Sequence, residues 1–155
     1  MEQLFRYNWA IRDEWFQLCS EIPYIELIKD RSGGVGSILK TLFHIVDVEC
    51  SWLQAIQGKP VSEPDYEDFG SLVLVKQLSD SYRHENSPFI EKWSSELEYE
   101  IVTPPWDNEA FYYGEVLRHV VAHEIHHIGQ LSVWTREMGL KPVEANFIGR
   151  GLMNK

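Results

Sequence analysis

A chain of 155 residues with 44% hydrophobic and 25% charged side chains has enough apolar material for a soluble domain with its own core, which argues against intrinsic disorder. Its net charge of −10 argues against a nucleic-acid partner, because phosphate recognition needs clustered lysine and arginine. No apolar run reaches the roughly 18 residues of a membrane span, and the acids and arginines of MEQLFRYNWAIRDEWF speak against a signal-peptide core.

Leu4, Phe5, Trp9, Ile11, Trp15, Phe16, Leu18 and Cys19 recur at helical spacing and predict a first helix over residues 2–21, closed by Pro23. The segment PYIELIKDRSGGVG reads as a connection with a short turn and a flexible end at Gly33, Gly34 and Gly36. No Lys-Ser/Thr pair follows these glycines, so they form no phosphate loop. Ser37 is placed to cap a second helix that runs to about Gln57 and stops at Gly58 and Pro60. The proline- and acid-rich stretch KPVSEPDYEDFGS then reads as an exposed loop. Ser71 caps a third helical pattern, SLVLVKQLSDSYRHENSPFIEKWSSEL, which Pro88 is expected to kink or divide. Residues 98–112 are expected to be extended and turn-like, because Pro104 and Pro105 each push the preceding residue out of the α region. A long fourth helix follows from Tyr113 to Met138, with Gly139 as its cap and Pro142 beyond it. Residues 1–155 thus read as a single all-α domain, a four-helix bundle for which up-and-down is the simplest arrangement. Cys19 and Cys50 lie in apolar helical patterns and read as buried, reduced thiols, which fits a cytoplasmic location.

The chemistry concentrates in the last helix, which holds His119, His123, His126 and His127 of the six histidines. His123 and His127 lie about 40° apart on one helical face, one turn above the other, so both imidazoles can grip one divalent ion. A third ligand must come from elsewhere, and His44 in the second helix is the best placed. His119 and His126 are alternatives whose helical phase suits the ion less well. Asp47, three residues after His44, can orient a ligand or close the shell as an additional one, and Glu124 beside His123 is a further candidate for orienting a ligand from behind. His84, between Arg83 and Glu85, reads as solvated. The run His123-Glu124-Ile125-His126-His127 also matches H-E-x-x-H, with Glu124 as a general base, but no downstream third-ligand helix follows. Glu124 and His127 match the E-x-x-H of di-iron bundles, but no second copy occurs. Trp106, Tyr112, Tyr113 and Trp134 are expected beside the last helix, in the core or around a pocket. Three imidazoles accept zinc or nickel alike and leave open the coordination positions that a catalytic site needs.

The two segments LFHIVDVECSWL and GEVLRHVVAHEIHHIGQL, in this order and spacing, resemble the DinB/YfiT family of small four-helix-bundle proteins. Carried over residue by residue, the resemblance implies His44, His123 and His127 as metal ligands. It places Gln130 in a polar contact near them and Gly129 in close helix packing. Ile128 departs from the pattern, standing where many members place arginine. The resemblance further implies a divalent metal cofactor and a low-molecular-weight thiol, of the bacillithiol or mycothiol kind, as cosubstrate. The implied activity is metal-dependent transfer of that thiol onto an electrophilic small molecule. Metal-dependent hydrolysis and a non-enzymatic metal-binding bundle are the alternatives, and a homodimer is the implied assembly.

Overall fold

Ser37 and Ser71 open two of the long helices as their side chains allow. Their hydroxyls accept hydrogen bonds from the backbone N–H of Lys40 at 3.2 Å and of Leu74 at 3.3 Å, satisfying donors that a helix start leaves free. A computed structural model describes residues 1–153 and contains five α-helices. These are α1 (Glu2–Ser20), the short α2 (Tyr24–Ile28), α3 (Ile38–Ile56), α4 (Leu72–Glu91) and α5 (Tyr113–Glu137). Gly139 sits at φ +75° just past α5, a backbone setting suited to glycine, and its N–H returns to the Arg136 carbonyl at 2.9 Å.

Pro88 does not divide its helix. α4 runs through it to Glu91, because Pro88 is exposed near the helix end while Ile90 beyond it is anchored in the core. The predicted continuation to Leu97 is replaced by a 3₁₀ turn at Ser95–Tyr99. The proline-rich stretch that follows is bounded by a two-stranded antiparallel pair, β1 (Ile101–Val102) with β2 (Phe111–Tyr112), and β2 leads directly into α5.

Apolar side chains form two clusters, stacked along the bundle. One gathers Trp15, Leu39, Leu42, Val75, Ile128 and Leu131, the other Phe5, Leu53, Ile90, Leu117 and Val120. Following each helix from cluster to cluster gives its direction. α1 and α5 run one way, α3 and α4 the other. The bundle is therefore not simply up-and-down. Around its perimeter the order is α1, α4, α3, α5, with α1 and α3 on a diagonal. Residues 57–71 carry the chain from the end of α3 back along the bundle to the start of α4, a crossover of the kind known in four-helix folds.

Candidate metal centre

α3 and α5 pack directly against each other, and this seam holds the histidines. His44 comes from the middle of α3, His123 and His127 from successive turns of α5. The Nε2 atom of His123 lies 3.0 Å from that of His44 and 3.1 Å from that of His127. One nitrogen from each of the three rings falls within 4.8 Å of the others. Nitrogens about 2.0–2.1 Å from a zinc ion would lie roughly 3.3 Å apart in a tetrahedral set, so the spacing suits a shared cation.

Protonation states agree with ligand duty. Burial, reinforced by the neighbouring imidazoles, holds His123 down to about 3. Burial also lowers His44 and His127 from the ordinary histidine value. Neutral rings are the form that binds metals. Gln130 then fixes which nitrogen of His127 is free. Its Oε1 lies 2.8 Å from Nδ1 of His127, and its Nε2 lies 3.0 Å from Nε2 of His126. With the amide oxygen accepting, Nδ1 of His127 carries the proton and Nε2 presents its lone pair to the cluster.

The other expected positions separate. His119 and His126 are exposed and outside the three-ring cluster. The His119 ring is 5.8 Å from that of His123, and His126 is engaged by Gln130. His84 is exposed, as its neighbours implied. Asp47 makes no hydrogen bond to the rings; its partner is the Ser51 hydroxyl at 3.5 Å, and it faces a cleft beyond His44. Trp134 is buried and donates to the Ser32 carbonyl at 3.2 Å, whereas Trp106 packs edge-on against Trp52 with ring centroids 4.9 Å apart. Tyr112 is exposed, facing Tyr99, and Tyr113 packs against the second apolar cluster. Ile128 is a core residue, which gives its aliphatic side chain a packing role where the family pattern places arginine. Gly129 is exposed with nothing near its missing Cβ, so close helix packing is not its function.

Glu124 requires a correction. It turns away from the histidines into the bundle, 1% exposed, and accepts from Arg12 Nε at 2.8 Å and Nη2 at 2.5 Å. The same guanidinium reaches Glu49 through Nη2 at 2.6 Å, and Trp9 donates to Glu49 at 3.0 Å. Burial raises the Glu124 carboxyl against the pull of Arg12, while the two carboxylates keep Arg12 charged. Glu124 is thus unavailable as a general base, and the protease-like motif is coincidental. Sequence reasoning missed this network although its signal was present. Arg12 shares a helical face with Phe5, Trp9 and Phe16, and Glu49 shares one with Leu42 and Leu53, where apolar residues belong.

The glycine-rich segment before α3 also approaches the site. Gly34 has φ +56°, and a Cβ there would lie 2.5 Å from Gln130 Oε1 and 3.3 Å from the Trp134 ring. The segment therefore lies against the residue that orients His127.

A helical bundle with this histidine seam defines the class, and the chain belongs to the DinB family, whose model matches residues 1–151. It is 49% identical over 153 residues to the uncharacterized protein YizA of Bacillus subtilis (strain 168), covering 98% of this chain and 96% of that one. A DinB-like protein from Bacillus cereus ATCC 10987, solved as a crystal structure, shares the fold with a TM-score of 0.64 at 20% identity, covering 90% of this chain and 91% of the other.

Proposed function

We propose that His44, His123 and His127 hold one divalent transition-metal ion, zinc or nickel, and that the protein is a transferase joining a low-molecular-weight thiol to an electrophilic small molecule. The observation that carries the reading is the convergence of three neutral imidazoles from two helices with no fourth acid, cysteine or histidine in the cluster among the described residues. A closed structural site would be completed by a fourth protein ligand, and the two candidates for it, Asp47 and His119, stand outside. A divalent cation in that position supplies a Lewis acid that lowers the pKa of a thiol and so makes it nucleophilic at neutral pH.

The chain's own part is to fix geometry. Gln130 holds His127 in the tautomer that exposes Nε2, and the Arg12 network keeps Glu124 out of the centre. Half-buried His44 and His123 leave one side of the cluster accessible to solvent and substrate. In the transfer a sulfur–carbon bond forms, the leaving group departs with its electron pair, and the thiol proton passes to solvent. Neither cysteine of the chain competes as the nucleophile. Both are buried, and burial pushes each up to about 12.

The test is turnover of a panel of alkyl and aryl electrophiles with bacillithiol or cysteine by zinc- or nickel-loaded protein. Conjugation above the uncatalysed rate is expected, with loss in His44→Ala. Fully metal-loaded protein without activity across thiols and electrophiles would contradict the transferase assignment while leaving the metal centre standing.

A further inference from the structure

A cleft of about 390 Å³ opens beside the histidine seam, along the same face of α3 and one turn beyond His44. Asp47 and Ser51 of α3 and Glu63 of the following loop supply its polar lining, and Trp52 and Trp106 its aromatic wall. The volume falls in the range of small-molecule sites. Trp52 also packs edge-on against His119 with ring centroids 5.9 Å apart, and the His119 ring lies tilted 5.8 Å from that of His123, so the aromatic wall leads into the three-histidine cluster. The loop wall is fixed rather than draped. Buried Gln54 donates to the Ser62 hydroxyl at 3.0 Å and accepts from the Ser62 backbone N–H at 2.7 Å.

The charge in the cleft is one-sided. No lysine or arginine lines it among the described residues, and neither Asp47 nor Glu63 forms a salt bridge there. Asp47 has only its long bond to Ser51, and burial followed by the charge of Glu63 raises its carboxyl above the usual range. Trp106 is 47% exposed, leaving ring surface open to a visitor. Two unpaired carboxylates beside an accessible indole complement a protonated amine, through charge-assisted hydrogen bonds and attraction to the ring.

We propose that this cleft binds the ammonium group of the small-molecule substrate, with Asp47 and Glu63 accepting its hydrogen bonds and Trp106 covering it, so that the reacting end of the molecule lies toward His44. The orientation rests on the metal-centre reading, but ammonium binding does not. The probe is benzylamine, compared with uncharged benzyl alcohol and with benzoate. Each is titrated into the full-length protein, metal-free and zinc-loaded, while the indole N–H resonances of Trp52 and Trp106 are followed by NMR. Benzylamine is expected to bind at least tenfold more tightly than benzyl alcohol, and benzoate more weakly still. The Asp47→Asn/Glu63→Gln double variant should lose that preference while retaining benzyl alcohol binding and zinc. His44→Ala should lose zinc and keep the amine. Equal affinity for the three probes, no binding of benzylamine at millimolar concentration, or an amine preference untouched by the double variant would each overturn the proposal. So would loss of amine binding in His44→Ala, which would place the amine on the histidines.

Discussion

Gln130 shows how much of a site can depend on one uncharged side chain. It touches two imidazoles at once, and in the amide orientation that the first contact needs, its NH2 group faces His126. Groups that orient a ligating histidine are worth about 10–100-fold in metal affinity. Gln130→Leu is therefore expected to weaken zinc binding by about that factor with little change in thermal stability, read by competition against a chromophoric chelator. An affinity equal to wild type would assign Gln130 a packing role. At this scale the sequence was most legible where spacing alone carries information. His123 and His127 share a face by helical arithmetic, and His44 follows as the remaining histidine in an apolar helix. Glu124 was misjudged because its side chain's destination depended on a cation 112 residues away in the chain, which no local pattern reveals.

At the scale of elements, Arg12 joins α1 to both helices that carry the clustered histidines. Glu49 lies five residues beyond His44 in α3, and Glu124 lies between His123 and His127 in α5, so one guanidinium sets the rotation of both helices about the seam. Removing it strands two buried carboxylates. Arg12→Met is expected to lower unfolding stability by about 3–5 kcal/mol, measured by urea denaturation, because breaking a buried ion pair leaves uncompensated charge. A loss under about 1 kcal/mol, the range of an exposed pair, would show that the network contributes little. Helix starts at Ser37 and Ser71 and the stop at Gly139 were readable from cap chemistry. The parallel course of α3 and α4 was not, since it depends on which apolar cluster each helix end joins rather than on any residue in the connection.

In the whole molecule, the three lowered histidines couple stability to pH. His123 titrates in the folded chain at about 3, below the roughly 6.5 of an unfolded histidine, so the unfolded state binds more protons between those values. The contribution is complete above about pH 6.5 and is lost as pH falls toward 3. Metal-free wild type should therefore lose stability on acidification more steeply than His123→Asn, and equal slopes in denaturation between pH 7 and 4.5 would contradict this.

The central claim is that the seam between α3 and α5 holds one metal ion, and metal content tests it most directly. Protein purified without a histidine tag should carry, or take up after dialysis, about one equivalent of zinc or nickel by elemental analysis, the occupancy expected of one three-ligand site. That equivalent should be absent from folded His44→Ala and His127→Ala variants. A folded wild type that cannot be loaded with either metal, or variants that retain the full equivalent, would contradict the account.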